Sequence, residues 1–177
     1  PYAVIKIDKA EADDIIGALT KHQADKVLHG PVVIISADKD FIQLQKYGLV
    51  TQWSPLFDKL VVDHTPSKYL FDHILKGDSS DGVPNVLSND DVFITHTRQH
   101  PMTKKKIAEW WESRDNLKDV MPQHVFRNYM RNREMIDLDR TPENIKKESI
   151  DQYENYVYPK RSNILTYLIE NRMKLLI

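Results

Sequence analysis

The sequence predicts an α/β fold, in which a partial parallel sheet is followed by an all-helical C-terminal subdomain. Up to residue 84, short β-branched runs alternate with amphipathic helical patterns, which is typical of parallel strands connected by helices. Beyond residue 84 we find no convincing strand, and helical patterns follow one another along the chain. We therefore expect an α/β part over residues 1–84 and a helical part over residues 85–177.

The elements of the first part follow from β-branched runs, prolines and glycines. Val32–Ile35 is a continuous β-branched run, as expected for a strand that is buried on both faces of a sheet. Thr65 and Pro66 suit the N-cap and the first position of a helix, and Gly77 suits its end. The patterns predict strands over 3–7, 32–35, 49–53 and 60–62, and helices over 10–28, 41–47 and 66–76.

Prolines mark the beginnings of helices in the second part. Because proline lacks an N–H group, it is favoured in the first turn of a helix, where that group would be unpaired. Three of the four helical patterns begin in this way. The predicted helices cover 101–112, 122–136, 142–156 and 161–176.

The composition excludes several kinds of site. The chain contains no cysteine, so a metal site must use oxygen or imidazole ligands, which suit Mg²⁺ or Mn²⁺. No apolar run approaches the roughly 20 residues of a membrane span, and no signal peptide is visible. We therefore expect a cytoplasmic protein with no membrane partner. Because Val4 and Ile5 already resemble a buried strand, we also expect the sequence to start inside a domain.

The net charge of −1 conceals an asymmetry between the two halves. Residues 1–95 contain 14 acidic and 9 basic residues, whereas residues 96–177 contain 12 and 16. An acidic half with a metal site and a basic half are typical of a protein that holds a polyanion, although ordinary fluctuation explains the numbers equally well. Lys104, Lys105 and Lys106 are the best candidates for phosphate contacts, and a solvated helix face is an equal explanation.

Two aspartates follow the strand at 32–35. Asp38 and Asp40 lie where parallel sheets bind ligands, at the carboxyl end of a strand. The structural alternative is an N-cap and a first-turn acid for the helix that begins near Phe41. That alternative explains one of the two aspartates well and the second less well.

Two further acidic groups lie at element ends. Glu11, Asp13 and Asp14 fall in the first turn of a predicted helix, and Asp78 and Asp81 fall in a Gly- and Ser-rich loop. The helix dipole and turn chemistry explain each group separately. If the three groups converge, however, their mutual repulsion must be offset by cations. Two divalent ions about 3.5–4 Å apart can activate a water molecule and stabilise the leaving oxygen of a phosphodiester. The pattern therefore indicates metal-assisted phosphodiester chemistry.

Four segments resemble the 5′-nuclease (flap endonuclease) family in residues, order and spacing. They read EADD at 11–14, SADKDFIQL at 36–44, QWSP at 52–55 and LKGDSSDGVP at 75–84. The third segment and the helical tail are most similar to the ribonuclease H branch of T-even-type bacteriophages. The resemblance implies a PIN-like nuclease domain and a helix–three-turn–helix element that begins in the loop at 77–84.

The resemblance also implies site residues and cofactors. Family members bind two Mg²⁺ ions, for which Mn²⁺ can substitute, and several bind K⁺ at the helix–three-turn–helix element. Asp13 and Asp38 would be the catalytic residues nearest the first ion, and Asp40, Asp78 and Asp81 would serve the second, partly through water. The implied metal ligands are Glu11, Asp13, Asp14, Asp38, Asp40, Asp78 and Asp81; the implied DNA contacts are Lys76, Ser79, Ser80, Lys104, Lys105 and Lys106.

The implied function is that of the C-terminal part of a 5′-3′ exonuclease or flap endonuclease in phage replication, in an infected bacterial host. Its substrate would be duplex DNA with a 5′ flap or an RNA primer. Activity would require an N-terminal nuclease fragment, because further family aspartates lie upstream of this sequence. A single-strand-binding protein or a sliding clamp would be a further partner. Two alternatives stay open: a non-catalytic duplex-DNA-binding remnant of the fold, and an α/β domain with acidic capping residues and no nucleic-acid role.

Overall fold

A computed structural model describes residues 2–26, 30–158 and 164–173. Its strands are β1 (Val32–Ile35), β2 (Val50–Ser54) and β3 (Lys59–Val61), in the order β1-β2-β3. β1 pairs with β2 in parallel, whereas β2 pairs with β3 antiparallel. The parallel pair brings the carboxyl ends of β1 and β2 to one edge of the sheet, which is the edge where Asp38 follows β1.

Helices account for most of the remaining structure. The α-helices are α1 (Ala12–Ala24), α2 (Pro66–Lys76), α3 (Lys104–Glu112), α4 (Leu117–Val120), α5 (Gln123–Ile136), α6 (Glu143–Glu154) and α7 (Ile164–Glu170). Within the described residues, 3₁₀ segments cover Lys39–Tyr47, Arg114–Asn116 and Leu138–Arg140. The predicted fold, an α/β part followed by a helical part, is confirmed. α2 begins and ends at the predicted residues, although the Thr65 hydroxyl bonds to Asp63 and does not cap the helix.

Several predicted elements differ from the structure. The helix predicted over 101–112 begins at Lys104, because Thr103 caps it. The strand predicted over 3–7 is wrong, because the described residues 2–10 contain no strand. The backbone N–H and C=O groups of Lys6 bond to the side chain of Gln152 in α6, at 3.3 and 3.0 Å. Both groups are therefore paired without a neighbouring strand. The helix predicted over 41–47 is a 3₁₀ segment that begins at Lys39. The helices predicted over 10–28 and 161–176 extend in part outside the described residues.

Buried hydrophobic side chains form two clusters. The smaller cluster, with Phe41 and Leu44, lies between the sheet and the first 3₁₀ segment. The larger cluster, with Leu75 and Val86, lies among α2, α3, α4 and α5. Because α2 belongs to the larger cluster, hydrophobic packing continues across residue 84, and the division of the chain at that residue stays a prediction.

A buried glutamine joins the two parts of the chain. Gln43, which is 1% exposed, donates from Nε2 to the C=O of Ile136 at 3.0 Å and accepts from the N–H of Leu138 at 2.9 Å. A buried backbone group without a partner costs about 1–3 kcal/mol. Gln43 therefore fixes the end of α5 against the 3₁₀ segment that begins beside Asp38.

We predict that Asn132→Leu lowers the free energy of unfolding by about 1–3 kcal/mol, because it removes a donor from each of two buried C=O groups. Asn132 is fully buried, and its Nδ2 donates to the C=O groups of Ile74 and Pro84, at 2.9 and 2.8 Å. Arg131 would still donate to one of them, the C=O of Pro84, at 3.2 Å. Urea unfolding followed by circular dichroism would measure the loss. Asn144→Leu, at an exposed position of α6, is the matched control. Equal stabilities of the two variants would contradict the prediction.

Candidate metal centre

An open cavity of about 730 Å³ lies at the carboxyl end of β1. Six of the seven predicted metal ligands line it, and they come from three separate segments of the chain. Its acidic lining consists of Glu11, Asp13, Asp38, Asp40, Asp78 and Asp81. The seventh, Asp14, lines an adjoining cavity together with five of these acids. The structure therefore brings together the three acidic groups of the sequence.

The segment after β1 positions Asp38 and Asp40. The N–H of Asp40 donates to Asp38 Oδ1 at 3.0 Å, so Asp38 caps the 3₁₀ segment while it faces the cavity. The buried side chain of Gln52 in β2 donates to the C=O groups of Ser36, at 3.0 Å, and of Asp38. Asp38 therefore both caps the 3₁₀ segment and lines the cavity, whereas Asp40 lines the cavity without capping the segment.

The first turn of α1 contributes the second acidic group. Asp14 accepts from the N–H of Glu11 at 3.1 Å and from the hydroxyl of Thr141 at 2.9 Å. Both of its carboxylate oxygens therefore have protein partners, which ties α1 to the segment before α6. Asp13 points into the cavity with Glu11, and the metal contact of Asp14 stays a prediction.

The loop after α2 contributes the third group. Gly77 has φ of 69°, and a Cβ there would lie 2.3 Å from the C=O oxygen of Val83, so the loop closes tightly on itself. The N–H of Val83 donates to the C=O of Asp78 at 2.6 Å. Ser80 donates its N–H, at 2.8 Å, and its hydroxyl to Asp78 Oδ1. These bonds fix Asp78 at the cavity, whereas Asp81 is exposed at its rim.

A histidine that the sequence patterns did not predict lies between two of these groups. His73, in the last turn of α2, places Nε2 3.1 Å from Asp78 Oδ2 and Nδ1 3.4 Å from Asp40 Oδ1. Asp40, His73 and Asp78 each offer one ligand atom, and these atoms lie within 4.8 Å of one another. The spacing of residues in the sequence could not reveal this group, because Asp40 lies in the first 3₁₀ segment and His73 lies in α2.

The crowding of carboxylates raises proton affinities in the cavity. Burial, followed by the charges of Asp38 and Asp40, raises the pKa of Asp13 to about 6. Burial also raises the pKa of Asp40, although the nearby His73 opposes this change. By contrast, the hydrogen bond from the Ser80 hydroxyl lowers the pKa of Asp78. Cations would relieve this repulsion, and a set of carboxylate oxygens with one imidazole fits a divalent metal ion.

The predicted DNA contacts lie outside the acidic lining, apart from Ser80. Lys76 lines a neighbouring cavity of about 400 Å³, which shares Tyr69 and His73 with the acidic one. Ser79 is exposed in the loop at 77–84. Lys104 and Lys105 are exposed in the first turn of α3, and Lys106 lies over the ring of Trp110 at 5.5 Å from its centroid. Their DNA contacts stay predictions.

We predict that Asp13→Asn stabilises the metal-free protein at pH 7.5 by about 1 kcal/mol, after allowance for solvent screening. Because the native pKa, about 6, lies above the ordinary value of 3.8, the folded state binds the proton more tightly. Stability therefore falls as pH rises from about 4 to 6, and the asparagine variant escapes that loss. Urea unfolding in EDTA at pH 3.5 and 7.5 would measure the difference. The gain in stability should vanish at pH 3.5. Asp8→Asn, at an exposed turn, is the control and should show no gain at either pH.

The fold corresponds to that of the 5′-3′ exonuclease class of proteins. Residues 2–68 match the family described as 5′-3′ exonuclease, N-terminal resolvase-like domain. A solved structure of a T5 5′-exonuclease mutant superimposes with a TM-score of 0.59, over 85% of this chain and 68% of that chain. Because the two sequences are 16% identical, this likeness shows the fold.

Residues 66–177 match the family described as T4 RNase H, C terminal. The chain is also 36% identical, over 176 residues, to ribonuclease H of Enterobacteria phage T4. The match covers 96% of this chain and 57% of that relative, so the chain spans less than two thirds of its length. The chain therefore belongs to the T4 RNase H family of nucleases, which confirms the resemblance found in the sequence. Among the described helices, none is long and apolar enough to cross a membrane.

Proposed function

We propose that this chain is the C-terminal part of a divalent-metal-dependent 5′-nuclease. The intact enzyme hydrolyses phosphodiesters at the 5′ ends of RNA primers or DNA flaps on duplex DNA. The observation that carries the proposal is the convergence of six carboxylates, from three segments, on one open cavity. Such crowding is tolerated where cations bind between the charges, and membership of a nuclease family supports phosphodiester chemistry at this place.

Two groups of carboxylates fit two divalent ions. Asp13 and Asp38 would hold the ion nearest the reacting phosphate, and Asp40, Asp78 and Asp81 would serve the second, partly through water. When bound, such a pair of ions activates a water molecule and stabilises the leaving oxygen. Carboxylate oxygens suit Mg²⁺, for which Mn²⁺ can substitute. A K⁺ ion at the loop and the following helices remains a prediction.

Other side chains would orient the site or bind the duplex. Gln52 fixes the backbone at Asp38, and Ser80 fixes Asp78, so these carboxylates keep their geometry without the substrate. Lys76 and the exposed Lys104 and Lys105 would contact phosphates of the duplex. Contacts of this kind release counterions, so duplex binding should weaken steeply as salt rises.

The uncovered face of the sheet supports a requirement for the N-terminal nuclease portion. Val33 and Ile35 in β1 are 59% and 72% exposed, and Leu60 in β3 is 54% exposed. Apolar side chains on one face of a sheet rarely face water in this way, because their burial stabilises a fold. The matched relative is longer than this chain, and we propose that the corresponding N-terminal polypeptide covers this face and completes the active enzyme. A single-strand-binding protein or a sliding clamp stays a predicted partner.

A nuclease assay on a 5′-flap duplex, with the same duplex lacking a flap as the reference, tests the proposal. The chain would be assayed alone and with an N-terminal fragment designed on the phage T4 relative, in Mg²⁺ and in EDTA. We expect cleavage in Mg²⁺ with the fragment present, and none in the other arms. Robust cleavage by the chain alone in EDTA would contradict the proposal.

Duplex binding separates the proposal from the non-catalytic alternative. A binding remnant would hold the duplex with an affinity that depends on salt but not on Mg²⁺ or on the cavity carboxylates. The proposed nuclease should instead bind the duplex more tightly in Mg²⁺, because cations between the carboxylates and the phosphates reduce their repulsion. An unchanged affinity in Asp38→Asn, with no cleavage in any arm, would favour the remnant.

A further inference from the structure

We propose that His73 is a direct ligand of the second metal ion and that it gives this position a preference for Mn²⁺ over Mg²⁺. The inference rests on the proposed function, because it assigns a further ligand to the same site. Among the described residues that line the acidic cavity, His73 alone carries an imidazole, so its nitrogen differs chemically from the carboxylate oxygens there.

The first support is an unpaired nitrogen. His73 Nδ1 is buried and has no hydrogen-bond partner among the described residues, although Asp40 Oδ1 lies 3.4 Å away. Hydrogen bonds from N–H to oxygen usually span roughly 2.7–3.2 Å, so this separation is too long for a normal one. Two neighbouring ligands of an octahedral Mg²⁺ or Mn²⁺ ion, bound at about 2.1 Å and at right angles, lie about 3.0 Å apart. A small shift of either side chain would therefore bring the unpaired Nδ1 and Asp40 Oδ1 to one ion.

The second support is the partner of the other ring nitrogen. His73 Nε2 lies 3.1 Å from Asp78 Oδ2, which fits an N–H group that donates to a carboxylate. A proton on Nε2 leaves the lone pair on Nδ1, the atom that faces Asp40. A carboxylate that accepts from one nitrogen commonly orients a histidine whose other nitrogen binds a metal. Ser80 in turn fixes Asp78 through Oδ1, so the imidazole is held in place.

The nitrogen ligand changes which metal the position prefers. Imidazole binds Mn²⁺ and the later transition metals more readily than it binds Mg²⁺, which favours oxygen ligands and retains water. The competing interpretation is that a protonated His73 merely bridges Asp40 and Asp78 as a cation. In that case the ring would hinder both metals equally, and its replacement would not alter the ratio of their affinities.

Metal titration of the chain, by isothermal calorimetry with MnCl₂ and MgCl₂, distinguishes the two interpretations. We expect the wild-type chain to bind Mn²⁺ more than about tenfold more tightly than Mg²⁺, and His73→Asn to reduce that ratio about tenfold. His64→Asn, at an exposed position, is the matched control and should retain the ratio. Pulsed electron paramagnetic resonance of bound Mn²⁺ should show coupling to a directly bound ¹⁴N nucleus, which His73→Asn should abolish.

The outcomes separate this inference from the proposed function. Equal ratios in the wild type and His73→Asn, with no nitrogen coupling, would overturn the role of His73 and leave the carboxylate site intact. Failure of the wild-type chain to bind either metal would overturn both. Retention of Mg²⁺ binding by His73→Asn shows that the variant is folded. If it does not fold, His73→Gln provides the same comparison with an amide in place of the ring.

Discussion

Asp40→Asn should abolish metal-dependent cleavage by the complemented nuclease, with a loss of more than about a hundredfold, and weaken Mn²⁺ binding by at least about tenfold. Asp40 faces the cavity from the carboxyl end of β1 and lies beside Asp38, His73 and the loop that carries Asp78. An amide lacks the negative charge and offers one weaker oxygen ligand. Flap cleavage and calorimetric titration with MnCl₂ would measure the two losses.

The same substitution should slightly stabilise the metal-free protein at neutral pH. Burial and neighbouring acids raise the pKa of Asp40, so its negative charge costs folding free energy once the pH exceeds that pKa. Removal of a charge from a crowded functional site commonly trades activity for stability.

Loss of metal binding without loss of stability would therefore locate the effect in the site. Asp58→Asn, at an exposed turn, is the matched control and should change neither property; a destabilised Asp40→Asn would contradict this account.

The positions of the cavity acids could be predicted because they follow from local rules. A β-branched run is expected to form a strand, and the residues after a parallel strand lie at the edge where ligands bind. These two rules bring Asp38 and Asp40 to the cavity. The strand forms as predicted, but its expected burial on both faces is wrong for the described residues, because Val33 and Ile35 are exposed. Pro66 and Gly77 fix the ends of α2, so the loop that carries Asp78 begins where the sequence predicts.

Other features depend on contacts between distant segments, which periodicity does not describe. β3 pairs antiparallel with β2, and the segment at 3–7 bonds to Gln152, almost 150 residues away in sequence. His73 lacks a motif of its own, and its relation to Asp40 exists only once α2 packs beside the first 3₁₀ segment. Likewise, Asp14 has the residue type and spacing of a ligand, but Thr141 occupies one of its oxygens. Packing therefore decides which acids in a motif face the cavity.

Gly77→Ala should lower the free energy of unfolding by about 3–5 kcal/mol, because the position accepts only glycine. Its φ of 69° and ψ of −178° lie in a region that L-residues avoid. A Cβ there would also lie 2.3 Å from the C=O oxygen of Val83 and 2.6 Å from Pro84, and these backbone atoms cannot rotate away. Urea unfolding would measure the loss.

Gly82→Ala separates the two causes of that loss. Gly82 also has positive φ, 72°, but a Cβ there meets no atom within 4 Å. Alanine at this position should therefore cost only about 1–2 kcal/mol, the backbone penalty alone. Because the loop carries Asp78 and Asp81, Gly77→Ala should also weaken Mn²⁺ binding in the fraction that stays folded, whereas Gly82→Ala should weaken it less. Equal effects of the two substitutions would show that the close approach of Val83 does not hold the loop at the cavity.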